Sequence, residues 1–293
     1  MVSTTRIDVA GGRSLTVYEA GDPGGAPILY HHGTPSSEAP SEPDDRLAAE
    51  QKVRLVSWDR VGYGESSRNR GRDVAAAAEE AAAILDALAI ERCASWGLSG
   101  GGPHALACAA LLPDRIAAVA SVAGIAPHGA EGLDWLGGMG EANVQEFGAS
   151  LAGEETLRPA LEAEASGMDS TTTDELVAAM STLLSPPDVA VLDGAYGEYL
   201  LGNFKRALAH GIDRWVDDDL AFTRPWGFEP AEIGPPVLVV QGRQDFMVPG
   251  GHGDWLAAQI PGAEAWFSED EGHLTLAQPR SVRRINEWLL ERL

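Results

Sequence analysis

One serine stands in a setting that could make it a nucleophile. Ser99 lies at the centre of Gly97-x-Ser99-x-Gly101, directly after the apolar run Cys93–Leu98 and just before a helical stretch from His104 to Leu112. A turn that tight forces its apex residue into a sparsely populated backbone conformation, tolerable where the neighbours lack side chains. The hydroxyl is then lifted clear of the chain, with the Gly100 amide at a helix start pointing the same way, as in a nucleophile elbow. An ordinary glycine-rich turn fits the same pattern, so the assignment depends on partners elsewhere. A phosphate loop fits poorly, because the chain has only Lys52 and Lys205 and neither follows these glycines. A dinucleotide fingerprint should follow the first strand of a βαβ unit, whereas Gly97–Gly102 follows several.

Serine is a weak nucleophile until a base removes its proton, and that base needs a carboxylate to fix its tautomer. Asp245 follows the predicted strand Pro236–Gln241, and His273 follows the short predicted strand Ala263–Phe267. Ser99, Asp245 and His273 thus each come after a strand, where open parallel sheets place their sites. The amide of Gly100 would supply one oxyanion donor and that of Thr34, after the early strand Pro27–His32, the second. Phe246 and Met247, beside Asp245, are candidate substrate-pocket walls. Among the seven histidines, His31 and His104 read as core or loop residues and His32 as a brace for its loop. His128, His210 and His252 lack a catalytic pattern. Asp59 and Arg60 read as holding their own turn. His31 and His32 make an implausible metal pair, since adjacent strand residues point to opposite faces. No cofactor motif is visible.

The elements that must position these groups alternate. A wet-faced hairpin (Arg6–Ala10 and Ser14–Ala20) leads into strands at 27–32, 53–58, 92–98 and 116–123. Helices are predicted at 44–50 and at 73–88, the latter capped by Asp73. That order predicts a mostly parallel sheet flanked by helices. From Pro127 to Ala231 the alternation stops and helix dominates, with scattered large side chains expected to form mainly their own core. Strand and helix then resume, ending in an amphipathic helix over 282–293.

Composition narrows the function classes. At 293 residues with 44% hydrophobic content the chain suits one large core with an inserted lobe. No run approaches the roughly 20 apolar residues of a membrane span. No secretory signal is visible, and Cys93 and Cys108 read as core residues, which together predict a cytoplasmic protein. A net charge of −23 argues against nucleic acid and anionic membranes as partners. Residues 127–231 carry 19 acidic and 5 basic side chains; a solvated face is the simplest account, and steering of cationic substrates is the functional one.

With these motifs in order, the chain resembles the α/β-hydrolase family along nearly its whole length. His32-Gly33 is similar to that family's oxyanion segment, and Asp59-Arg60-x-Gly62-x-Gly64-x-Ser66 to its turn after the next strand. Gly97-x-Ser99-x-Gly101, Gly242-x-x-Asp245 and Gly272-His273 match its nucleophile, acid and base positions. The resemblance implies a hydrolase core over 1–126 and 232–293 and a helical cap over 127–231. It implies a cofactor-free serine hydrolase of small ester or lactone substrates, carboxylesterase-like, using an acyl-enzyme. Alternatives are an aminopeptidase of the proline iminopeptidase type, taking amides, a C–C bond hydrolase, or a small-molecule receptor on the same scaffold. His32-Gly33-Thr34-Pro35-Ser36 departs from the HGGPG of the iminopeptidases, although an acidic cap could pair with a substrate α-amino group.

Overall fold

The computed structural model describes residues 2–37, 39–192 and 194–293. The alternating N-terminal segments form an antiparallel hairpin, β1 (Ser3–Val9) and β2 (Arg13–Gly21), turning at Gly11 and Gly12, both at positive φ. β2 pairs antiparallel with β4 (Val53–Trp58), which pairs parallel with β3 (Ala26–His31). β5 (Cys93–Leu98), β6 (Ile116–Val122), β7 (Val237–Gly242) and β8 (Glu264–Ser268) continue the parallel part, in the order β1-β2-β4-β3-β5-β6-β7-β8. Every residue of β6 and β7 is buried, as befits strands covered on both faces.

Alternate strand residues feed two cores. Leu29, Val56, Val119 and Val239 pack with α2 (Ala76–Ala87), α3 (Gly101–Leu111) and α10 (Gly250–Gln259) through Ile84, Leu106 and Leu256. Ile28, Leu55, Leu238 and Val240 pack on the other face with α1 (Glu42–Glu50) and α11 (Pro279–Leu290) through Ala48, Ile285 and Leu289. Asp73 caps the approach to α2, its carboxylate accepting the Ala76 amide at 3.0 Å. No described helix is long and apolar enough to cross a membrane.

Six helices lie between β6 and β7: α4 (Glu141–Ala152), α5 (Glu154–Ala165), α6 (Thr173–Ala179), α7 (Pro186–Val191), α8 (Ala195–Leu208) and α9 (Asp213–Phe222). Their large residues do not form a self-contained core. Leu157, Leu161, Trp215 and Leu220 cluster together, but Trp135, Phe147, Phe222 and Trp226 extend the sheet's own core. Leu184 and Leu192 pack on Met247 and Leu274 beside the sheet edge. Nor is the acidic surplus wholly solvated: Asp188, Asp217, Asp218 and Asp219 are buried. A solvated-face reading fails there because the amides around His273 answer Asp188 and arginines answer Asp217 and Asp218.

Close packing at the sheet's centre makes a prediction. A Cβ on Gly97 would collide with the Gly101 carbonyl. Gly97→Ala should therefore lower unfolding free energy by roughly 1–3 kcal/mol, the usual cost of overpacking, measured by chemical denaturation. Unchanged stability would mean the turn can open without penalty.

Candidate active site

Between β5 and α3, Ser99 adopts φ 54°, in the left-handed region. Its amide donates to the Val122 carbonyl and its own carbonyl accepts from Gly102, both at 2.8 Å. Gly101 lies directly on the His31 carbonyl, where any side chain would overlap. The elbow is thereby seated against the end of β3 and the loop that carries Thr34.

That loop is held by charge. His32 donates from Nδ1 to the Gly33 carbonyl (2.7 Å) and accepts the Arg60 amide at Nε2 (3.1 Å). The Arg60 guanidinium donates to the carbonyls of His32 (2.9 Å) and Gly33 (3.1 Å) and to Thr34 Oγ1 (2.9 Å). Its counter-charge is Asp218 of α9, which Arg72 also reaches. Thr34 Oγ1 donates to the same carboxylate at 2.6 Å, and the Tyr63 hydroxyl does so at 3.0 Å. Burial alone would push Asp218 towards protonation; Arg60 and Arg72 outweigh it and hold the carboxyl well below the usual carboxylate range. The expected bracing role of His32 is visible here, whereas Arg60, expected to hold its own turn, instead holds this neighbouring loop. Thr34 adjoins Gly100 closely enough that a Cβ on Gly100 would strike its side chain. Among the described residues neither the Thr34 nor the Gly100 amide meets a protein acceptor, leaving both open to a ligand oxygen.

The acid and base candidates meet. His273 Nδ1 donates to Asp245 Oδ2 at 2.7 Å, and both side chains are buried. Asp245 is itself oriented: Oδ1 accepts the amides of Met247 and Val248, each at 2.8 Å, and Oδ2 accepts Gln241 Nε2 at 3.1 Å. Burial lowers the affinity of the His273 imidazole for a proton, but Asp245 and, less strongly, Asp188 overcome it and raise its pKa. The other buried histidines go the opposite way. Burial, helped by Arg60, takes His31 down to about 3 and holds His32 and His104 well below the ordinary value; burial takes His252 down to about 4.

Ser99 stands at the junction of two cavities. One, of about 520 Å³, is bounded by Ser99, His273, Thr34 and Met247. The other, of about 160 Å³, shares Ser99, Thr34 and Met247 and adds Gly100 and residues of α4, α5 and α9. Phe246 lines neither and is 40% exposed, which corrects its expected place in the pocket wall. The chain curls over Asp245 to deliver the Met247 and Val248 amides, and Phe246 falls on the outside of that curl.

Two important carboxylates escape sequence reasoning. Asp188 of α7, fully buried, accepts the amides of His273 (3.1 Å), Leu274 (2.7 Å) and Thr275 (3.3 Å) and the Ser185 hydroxyl (2.7 Å). Ser185-Pro-Pro-Asp188 reads as a helix start, but nothing local says that the capping carboxylate also grips another loop. Asp218 sits in Asp217-Asp218-Asp219 between Trp215 and Phe222; acids flanked so closely by aromatics are the one available hint of burial.

The sequence profile of the α/β hydrolase fold matches residues 26–278, and the chain belongs to that family. It is 28% identical over 285 residues to the dihydrolipoyllysine-residue acetyltransferase component of an acetoin cleaving system from Pseudomonas putida, a match covering 96% of this chain and 66% of that protein. It is 27% identical over 253 residues to a 2-hydroxy-6-oxononadienedioate/2-hydroxy-6-oxononatrienedioate hydrolase from Cupriavidus pinatubonensis, covering 84% of this chain and 77% of the relative. Among solved structures, an α/β hydrolase fold protein from Nakamurella multipartita superposes with a TM-score of 0.70 at 28% identity, over 98% of this chain and 99% of that one.

Replacing Asp188 by Asn leaves the Leu274 and Thr275 amides facing a weaker acceptor and removes the charge behind His273. Unfolding free energy should fall by about 1–3 kcal/mol, the cost of poorly satisfied buried donors, and the His273 pKa, followed by NMR titration, should drop. An unshifted imidazole would show that Asp188 does not act on it.

Proposed function

We propose that this chain is a cofactor-free serine hydrolase of small esters or lactones, with the helices between β6 and β7 as its cap. The observation that carries the reading is the Asp245–His273 pair opening, together with Ser99, onto one cavity. In the proposed reaction Ser99 Oγ attacks the substrate carbonyl carbon while His273 Nε2 takes its proton. Asp245 holds the opposite ring nitrogen as donor and balances the imidazolium that forms. The carbonyl oxygen, now anionic, accepts from the Thr34 and Gly100 amides, whose fixed dipoles face the developing charge. Collapse expels the alcohol, which leaves with the proton from His273, and an ester to Ser99 remains. Water activated by His273 then cleaves that ester and restores the hydroxyl.

A second reading, C–C bond cleavage, is favoured by the Cupriavidus relative, whose name specifies a dicarboxylate substrate. The cavity beside Ser99 counts against that substrate, since Glu146, Glu164 and Asp219 line it and no lysine or arginine among the described lining residues can pair with a second carboxylate.

A fluorophosphonate probe should label the wild-type chain stoichiometrically and leave Ser99→Ala unlabelled, with kcat on p-nitrophenyl acetate lower by about 10⁴-fold or more in the variant. Labelling that persists without Ser99 would remove it as nucleophile. The pH profile tests the base. His273 accepts a proton only when neutral, so activity falls as pH drops through its raised pKa. Asp245→Asn removes the largest charge raising it, so the acid limb of kcat/KM should move to lower pH while the rate falls.

A further inference from the structure

Three consecutive aspartates on α9 meet different fates. Asp217 pairs with Arg68, its Oδ2 2.7 Å from Nε, and Asp218 takes both Arg60 and Arg72. Among the described residues the Asp219 carboxyl takes no cation and no N–H or hydroxyl donor: the residue is 1% exposed, and both carboxyl oxygens are buried with only another carboxyl nearby. It lines the smaller cavity beside Ser99. Glu146 of α4 reaches the same cavity, one oxygen accepting the Trp215 indole N–H at 2.7 Å, and its carboxyl lies within hydrogen-bonding reach of Asp219. Glu164 of α5 closes the group from the solvent side. The remaining wall is apolar, with Phe147, Met168, Leu208 and Phe222.

Carboxylates brought together out of water need a proton or a cation between them. Burial raises Glu146 and Asp219 and takes Glu164 up to about 7, and the Glu146 charge adds to the rise of Asp219 and Glu164. Every neighbouring arginine is committed: Arg68, Arg60 and Arg72 to Asp213, Asp217 and Asp218, and Arg158 to Glu154 and Asp213. The protein therefore supplies no cation to this group. An apolar pocket with one charged end opening onto Ser99 suits an organic ammonium carried on a hydrocarbon stem.

We propose that Asp219, Glu146 and Glu164 form a subsite for the ammonium group of an amine-bearing substrate, whose stem fills the smaller cavity and whose reacting carbonyl lies at Ser99. Only the last clause rests on Ser99 as nucleophile; the amine site itself does not.

Binding can be measured without turnover. Calorimetry on the wild-type protein with benzylamine and a series of n-alkylamines, against benzyl alcohol and the matching alkanols, should show binding of amines in preference to their neutral counterparts. Asp219→Asn and Glu146→Gln should each weaken amine binding by roughly tenfold or more, as when an ammonium loses a buried charged partner. Glu162→Gln, the same charge change at an exposed site on α5, should leave it unchanged, and added salt should alter it little, since buried pairs are poorly screened. In the absence of amine, Asp219→Asn should melt at or above the wild-type temperature, because it removes one of two buried carboxyl groups that compete for a single proton. Equal affinity for amines and alcohols, no measurable binding across the series, or equal weakening in Glu162→Gln would each overturn the proposal. Loss of esterase activity with amine binding intact would instead defeat only the hydrolase reading.

Discussion

A carboxylate with no exposure to water keeps its charge only where cations or hydrogen-bond donors answer it, and at Asp218 the answer ties the architecture together. Asp218 comes from the helices between β6 and β7, while Arg60 and Arg72 come from the segment after β4. The Thr34 hydroxyl, from the loop after β3, completes the cluster. Taking one charge out of such a site would strand the others at a cost of several kcal/mol. The inserted helices are therefore anchored to the sheet through the same ions that shape the loop facing Ser99. Arg60 fixes the carbonyls of His32 and Gly33 and thereby the course of the backbone leading to Thr34.

The remaining site geometry follows from where strands end. β3, β5, β7 and β8 run parallel, so the segments that follow them emerge at one edge of the sheet. Glycine at 97 and 101 allows α3 to start almost in contact with β3 and β5. The backbone of Ser99 is held in an unfavourable region because its own amide and carbonyl are fixed by hydrogen bonds to Val122 of β6 and Gly102 of α3. Local strain and long-range charge pairing thus act on adjoining parts of one cavity wall.

Much of this was legible in the residues. Parallel order, the elbow, and the meeting of Asp245 with His273 all follow from motifs placed after predicted strands, because strand direction dictates where their ends lie. Bracing by His32 was legible too, whereas Arg60 reads as holding its own turn and instead reaches the loop after β3. What could not be read is how the segment from 127 to 231 folds back. Whether an aspartate in that segment is solvated or buried depends on arginines more than a hundred residues away, as with Asp218 and Arg60. Met247 and Phe246 show the same limit at short range: adjacent in sequence, one lines both cavities and the other faces outward. Their separation is set by two amide hydrogen bonds to Asp245, which no propensity records.

Asp188 joins two parts that a comparison of chains would treat as interchangeable. The helices between β6 and β7 cannot be exchanged independently of the sheet here, because α7 contributes the acceptor that shapes the peptide around His273. A chimera that replaced those helices without that aspartate would keep every conspicuous motif yet leave its imidazole on a slack tether.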